Sequence, residues 1–138
     1  MPVSARFLRG LFLLLMLASG TGKLLDVPGF ILVVDSFRAL PAPLLAPSAW
    51  ALTLTELGLA AWLAVGRRLQ WAALVLVLMH AMYLAWLLMA LSRGLDLPNC
   101  GCFGVYLARP LSAWSPIEDA GLLWLAAIFL HQARRAGA

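Results

Sequence analysis

The chain has 138 residues, of which 64% are hydrophobic and 12% are charged, and its formal net charge is +4. Soluble domains carry about twice that share of charged residues, and a chain this short could not bury so much apolar surface in one core. The composition therefore excludes an ordinary soluble domain and indicates a small membrane protein that uses lipid as its solvent. Basic residues are scattered at the edges of apolar runs without forming a stripe, so no nucleic-acid partner is expected.

Four apolar segments predict four transmembrane helices, at about residues 7–25, 47–65, 71–91 and 117–132. Each is long enough, or nearly so, to cross a hydrocarbon core of roughly 30 Å. Pro47 is expected in the first turn of the second helix, and Ser115-Pro116-Ile117-Glu118 is typical of a capping box that opens the fourth. The first segment also has the pattern of a cleavable secretory signal; we interpret it as a helix. The predicted fold is an all-α membrane protein, a four-transmembrane-helix bundle in one domain over 1–138.

Two further stretches lie between these segments. Residues 29–40 are apolar with interleaved polar side chains and are followed by Pro41, a pattern typical of an amphipathic helix at the membrane interface. Residues 93–115 contain prolines and glycines that exclude a long helix, and they form the predicted outer loop. This loop contains the only two cysteines of the chain, Cys100 and Cys102.

The distribution of charge predicts the orientation in the membrane. One set of ends and turns has only basic residues, namely Arg6, Arg9, Arg67, Arg68, Arg134 and Arg135. The opposite set mixes both signs, with Lys23, Arg38, Arg93 and Arg109 beside Asp26, Asp35, Asp96, Glu118 and Asp119. By the positive-inside rule, both termini are expected in the cytoplasm and the cysteine loop on the periplasmic or extracellular side of the cytoplasmic (inner) membrane. Disulfides persist on that side.

The Cys100-Gly101-Cys102 sequence is the strongest candidate for chemistry. Residues two apart place their Cα atoms roughly 5.5–7 Å apart, which overlaps the range that a disulfide requires. A redox-active disulfide is the favoured interpretation, because small strained or exposed disulfides are the labile ones. A structural crosslink would remove little entropy from so short a loop. Two thiolates could also bind Cu(I), but no third cysteine or nearby histidine completes a zinc site.

Glu56 is the second candidate, because an ionisable residue about 14 Å inside a spanning helix is expensive and suggests function. The turn between the second and third helices is centred near Arg68. In this hairpin, residues whose numbers sum to about 136 therefore lie at equal depth in the membrane. This places Glu56 level with His80, and Thr53 level with Tyr83. The four could form a proton-handling polar column with Thr53 and Tyr83 near a bound cofactor, or they could only join the two helices by hydrogen bonds.

Two other side chains near the outer face are ambiguous. Lys23 ends the first helix, and such a lysine most often extends its ammonium group to the interface. Its ammonium group could instead lie beneath the cysteine loop and lower the pKa of a thiol. Trp86 could line a cofactor cavity, although a tryptophan there is more often a packing residue of the aromatic belt.

These motifs resemble the MauE/DoxX-like family of redox-associated membrane proteins, and its MauE branch most. The resemblance rests on Gly20-x-x-Lys23, Pro41, Glu56-Leu57-Gly58 and, above all, Cys100-Gly101-Cys102-Phe103-Gly104. It implies a four-helix bundle similar to DsbB and VKOR proteins and electron transfer with thioredoxin-like partners. It also implies a link to maturation of a disulfide-rich dehydrogenase subunit. The chain departs from DsbB and VKOR proteins in having one cysteine pair where they have two.

The expected function is therefore that of a thiol:quinone oxidoreductase. Cys100 and Cys102 would exchange electrons between a periplasmic or extracellular thioredoxin-like protein and a membrane quinone, either ubiquinone or menaquinone. Glu56, His80 and Lys23 would handle protons and thiolate charge. Two alternatives remain open from the sequence: a non-catalytic membrane assembly factor or accessory subunit for a periplasmic redox enzyme, and Cu(I) handling by the cysteine pair.

Overall fold

The computed structural model describes residues 1–138 and contains five helices without strands. They are α1 (Val3–Leu24), α2 (Val27–Ser36), α3 (Ala42–Val65), α4 (Leu69–Ser92) and α5 (Trp114–Arg135). Three of them, α1, α3 and α4, are long and apolar enough to cross a membrane. This confirms an all-helical membrane protein with transmembrane helices. The fourth expected span corresponds to α5, which has 22 residues but is less apolar because charged side chains lie near both its ends.

Helices α1, α3 and α5 start at Val3, Ala42 and Trp114, before the predicted starts at about 7, 47 and 117. Helix α3 begins at Ala42, so Pro43 occupies the first turn and Pro47 lies inside the helix. The first turn tolerates Pro43 because its missing N–H would have had no partner there. The predicted capping box is also wrong: α5 begins at Trp114 without a side-chain cap, and Glu118 instead accepts a hydrogen bond from Arg109 at 2.7 Å.

The helices pack as two pairs, α1 against α3 and α4 against α5. Their shared core is apolar and includes the fully buried Phe12, Leu63, Leu76 and Phe129. Large apolar side chains are also exposed around the outside of the bundle, as expected where lipid replaces water as the surrounding solvent. Although α3 and α4 are consecutive, they contact each other little, and this leaves space between the two pairs at one end of the bundle.

One end of the bundle gathers the two termini and the α3–α4 turn. The backbone N–H of Gln70 donates to the Ala138 carbonyl at 3.1 Å, and Gln132 donates to Ser4 at 3.0 Å. Arg9 donates to the Leu63 carbonyl at 2.7 Å, satisfying a carbonyl that the end of α3 leaves without a helical partner. The arginine-only segments of the sequence therefore share one end of the molecule.

The other end holds α2 and the loop between α4 and α5. Asp26 caps α2 by accepting a hydrogen bond from the Gly29 N–H at 2.9 Å. A helix is therefore present between the first two long helices, but it spans Val27–Ser36 and not the predicted 29–40. The loop folds back on itself, because the Leu111 N–H donates to the Leu97 carbonyl at 2.9 Å and the Cys100 N–H donates to the Arg109 carbonyl at 2.8 Å. The cysteines are thereby held against the helix ends.

Candidate functional site

The two cysteines form a close dithiol in this loop. Both are free thiols, and a hydrogen bond joins their sulfur atoms at 3.0 Å. Asn99 organises the turn, because its side chain accepts from the Gly101 N–H at 2.9 Å and donates to the Gly104 carbonyl at 3.0 Å. Gly101 has a φ of 81°, a left-handed conformation that glycine adopts without steric cost. The turn therefore holds the thiols within reach of each other.

The cysteine loop lies directly on the end of α1. A Cβ atom at Gly22 would collide with the backbone carbonyl of Phe103, and one at Gly104 would collide with the backbone of Gly22. Gly104 also has a φ of 78°. Only glycine at both positions allows the two backbones to approach this closely, so these residues fix how far the loop sinks into the bundle.

A buried ion pair lies beneath the loop. Lys23 Nζ is 2.8 Å from Glu56 Oε2, and the side chains are 2% and 1% exposed. The same ammonium group donates to Ser19 at 2.6 Å and to the backbone carbonyl of Cys102 at 2.8 Å. The expectation that the ammonium group of Lys23 extends to the membrane interface is therefore wrong. Lys23 lies beneath the cysteine loop, which is the alternative that the sequence left open. The pair thus connects α1 and α3 to the dithiol loop.

The partners of Glu56 differ from those that the hairpin spacing predicts. Tyr83 donates to Glu56 Oε1 at 2.6 Å, whereas Nδ1 of His80 is bonded to the Leu76 carbonyl of its own helix at 2.9 Å. Thr53 likewise donates to a carbonyl of its own helix. The predicted pairs Glu56–His80 and Thr53–Tyr83 are therefore wrong, because α3 and α4 contact each other little and it is Tyr83 of α4 that reaches Glu56.

The environment of the two sulfur atoms is asymmetric. Arg109 favours a thiolate at Cys100, whereas at Cys102 the ammonium group of Lys23 favours a thiolate and the negative charge of Asp119 opposes it. The hydrogen bond within the pair lowers the pKa of Cys100 to about 6, with the Cys102 N–H and Arg109 contributing in the same direction. The same hydrogen bond, together with burial, raises the pKa of Cys102 well above its ordinary value. Cys100 is therefore the preferred thiolate and Cys102 holds the proton.

Two cavities meet at the dithiol. An apolar cleft of about 350 Å³ lies between α2, α3 and α4, and 13 of its 16 lining residues are hydrophobic. A more polar cavity of about 590 Å³ lies on the side of α1 and α5. Cys100, Cys102 and Tyr83 line both. The dithiol is thus accessible from two chemically different spaces.

The other predicted site residues divide between these spaces. Trp86 lines the apolar cleft and packs on Phe37 with ring centroids 5.6 Å apart. Glu56 and His80 line the polar cavity. Thr53 is fully buried and lines neither, so the structure gives no support for a cofactor contact at this position.

Sequence reasoning missed several polar residues of the site, among them Ser19, Asn99, Arg109 and Asp119. Ser19 lies one turn before Lys23, on the same face of α1, and this spacing was the available signal. Asp119 lines the polar cavity with both sulfur atoms, and it could not be distinguished from an ordinary interfacial acid. No group of three or more histidine, cysteine or acidic side chains is arranged to hold a metal.

Comparison with known proteins finds a family match. A family model described as "Methylamine utilisation protein MauE" matches residues 1–132. No curated protein and no solved structure matches the chain. The matched region includes all the site residues described above and nearly all of α5.

Proposed function

The chain belongs to the family of the methylamine utilisation protein MauE, and from this premise we propose that it is a membrane thiol–disulfide oxidoreductase. The observation that supports this most is the position of the dithiol, whose sulfur atoms lie 3.0 Å apart where an apolar cleft and a polar cavity meet. A pair of thiols so placed can exchange electrons with a protein on one side and with a lipid-soluble molecule on the other.

The proposal includes four membrane spans, with α5 as the fourth. Helix α5 packs along α4, and it begins beside the cysteine loop and ends beside the N-terminus of α1. It therefore extends over the same depth as the three apolar helices. The end that holds both termini has the arginine-only segments, so by the positive-inside rule it lies on the cytoplasmic side of the inner membrane. The dithiol then faces the oxidising compartment.

The proposed partner is a periplasmic or extracellular thioredoxin-like protein. In the disulfide form, the thiolate of this partner attacks Cys102, which is the more exposed of the two cysteines, and the Cys100–Cys102 bond breaks. Cys100 leaves as the thiolate, which the backbone N–H of Cys102 and the positive charge of Arg109 stabilise. A second partner thiolate then displaces Cys102 from the mixed disulfide. The partner is oxidised by two electrons and the protein becomes a dithiol.

The electron acceptor proposed for the dithiol is a membrane quinone, ubiquinone or menaquinone. The apolar cleft suits a flat lipid-soluble ring, because the aromatic side chains of Phe30, Phe37 and Trp86 line it and the sulfur atoms form part of its wall. Such sites are typically apolar with a few polar groups. A bound quinone would supply a two-electron, two-proton acceptor, and oxidation of the dithiol would restore the Cys100–Cys102 disulfide.

The buried ion pair supports the chemistry by positioning the loop. Lys23 donates to the Cys102 carbonyl while Glu56 holds the ammonium group, with Ser19 and Tyr83 as further donors to the carboxylate. These contacts keep the turn in one geometry while sulfur bonds form and break. His80 lines the polar cavity near Glu56 and would exchange protons there.

The test is anaerobic quinone reduction by the purified protein, with reduced thioredoxin as donor and ubiquinone-1 or menadione as acceptor. The protein is expected to reduce the quinone faster than the mixture without it. Cys100→Ser and Cys102→Ser should each abolish this excess rate. Asp96→Asn, an exposed change in the same loop, serves as the control and should retain the rate.

Two outcomes would contradict the proposal. Absence of any excess rate in the intact protein, with every quinone and donor combination, would rule out the quinone reaction. Full function in cells of a variant lacking both cysteines would favour the assembly-factor alternative, in which the outer loop only holds a partner.

A further inference from the structure

Asp119 is a buried carboxyl group that the proposed function leaves without a role. It lies in the second turn of α5 and is 9% exposed. Its Oδ2 atom is buried and has no hydrogen-bond partner. Burying a polar atom without a partner is costly, and unsatisfied groups of this kind are therefore rare in folded proteins. The missing partner indicates that this carboxyl group is available to bind a proton or to contact a reacting group.

The polar cavity connects Asp119 to the dithiol. Its lining includes Asp119 on α5 and both sulfur atoms on the loop. The other titratable or charged groups that face this cavity are Glu56 from α3, His80 and Tyr83 from α4, Arg109 from the loop and Glu118 from α5. Lys23 on α1 lies beneath them.

These neighbouring groups are already engaged. Glu56 is held by Lys23 and Tyr83, and Arg109 is paired with Glu118 at 2.7 Å. One nitrogen of the His80 ring is bonded to its own helix. Among the acids of the cavity, Asp119 alone has a buried oxygen without a partner, and its charge acts on Cys102.

We propose that Asp119 accepts the proton of the Cys102 thiol when the Cys100–Cys102 disulfide closes, and returns a proton when that disulfide opens. The inference rests on the proposed thiol–disulfide function and adds the group that moves its proton. Cys102 needs such a group because it holds the proton of the pair, while only a thiolate can form the new sulfur–sulfur bond.

The step balances with a small disulfide, bis(2-hydroxyethyl) disulfide, as oxidant. The Cys100 thiolate attacks it, forms a mixed disulfide and releases one 2-mercaptoethanol thiolate. Cys102 then loses its proton to Asp119 and attacks the Cys100 sulfur, which forms the Cys100–Cys102 bond and releases the second 2-mercaptoethanol thiolate. The protein dithiol is oxidised by two electrons, the reagent is reduced by two, and the proton on Asp119 passes to a released thiolate.

The experiment measures the second of these reactions directly. Reduced protein in detergent is mixed with bis(2-hydroxyethyl) disulfide, quenched with acid at set times, and the mixed disulfide at Cys100 is quantified by mass spectrometry from pH 5.5 to 8.5. Cys102→Ser cannot form the Cys100–Cys102 bond, so it gives the amount of mixed disulfide expected when no resolution occurs. Asp96→Asn is the matched change of an exposed acid. No quinone or protein partner is needed, so a failed quinone reduction leaves this measurement valid.

We expect Asp119→Asn to accumulate the mixed disulfide at neutral pH, because its resolution should be at least tenfold slower than in the intact protein. As the pH rises, the resolution rate of the variant should approach that of the intact protein. Asp119→Glu, which keeps a carboxyl group, should recover much of the rate. Resolution within twofold of the intact protein in Asp119→Asn would overturn the proposal. Equally slow resolution in both variants at every pH would also overturn it, because that result assigns the effect to packing.

Discussion

Replacing Lys23 by methionine is expected to destabilise the protein by about 3–5 kcal/mol, the range for removing one partner of a buried ion pair. Methionine keeps the length and apolar stem of lysine but removes the charge. Glu56, 1% exposed, would then be a buried carboxylate without a counter-charge. The loss of positive charge, and not of volume, therefore dominates the expected effect.

The contacts around the ammonium group place the expected value toward the lower part of that range. Lys23 Nζ lies 2.8 and 3.1 Å from the two oxygens of Glu56 and 2.8 Å from the Cys102 carbonyl. Once it is removed, Ser19 and Tyr83 still donate to the carboxylate, and protonation of Glu56 can relieve the remaining charge. We therefore expect about 3 kcal/mol for the single change.

The measurement is equilibrium unfolding in detergent, followed by the fluorescence of the 6 tryptophans. Glu56→Gln and the double variant complete a double-mutant cycle, in which residues in direct contact are expected to couple by about 0.5–3 kcal/mol. The control is Arg109→Met, since Arg109 and Glu118 form an ion pair of 2.7 Å whose side chains are both 48% exposed. Exposed pairs contribute at most about 1 kcal/mol. A loss in Lys23→Met no larger than in Arg109→Met would refute the reasoning.

Two further predictions follow from the cysteine loop. Gly22→Ala should destabilise the protein by about 1–3 kcal/mol, because the new methyl group would displace the Phe103 carbonyl; Gly10→Ala on the same helix, with nothing within 4 Å, should cause no loss in the same unfolding assay. In the reduced protein, the rate of Cys100 alkylation by iodoacetamide should rise with pH and reach half of its maximum near pH 6, because the pKa of Cys100 is lowered to about 6. Cys102→Ala removes the main hydrogen bond to that sulfur and should move the midpoint upward, toward the ordinary thiol value of about 8.5; a midpoint that stays in place would contradict the assigned cause.

The sequence predicts the helices better than their ends. Long apolar segments can be recognised from the hydrophobicity of the sequence alone, so α1, α3 and α4 were predictable to within about five residues at each end. Pro47 and the apparent capping box at Ser115 gave wrong starts because both motifs are compatible with more than one position in a helix. Which of two compatible starts forms depends on the neighbouring chain, as where Arg109 engages Glu118.

The partners of buried polar residues were the least predictable part of the site. The sequence identifies Glu56 and Lys23 as costly in lipid, but the hairpin spacing assigns Glu56 to His80. That spacing assumes that consecutive helices pack together. In the structure α1 packs on α3 and α4 packs on α5, so the counter-charge of Glu56 comes from α1, 33 residues away in the chain.

The sequence by itself determined a helical membrane protein with one cysteine pair in a loop, because hydrophobicity, helix length and the Cys-Gly-Cys spacing are local properties. Only the tertiary structure decided that Lys23 lies under that loop, that Asp119 shares a cavity with both sulfur atoms, and that Cys100 is the favoured thiolate. Each depends on charges and backbone contacts between segments far apart in the chain. The packing of the two helix pairs brings these segments together.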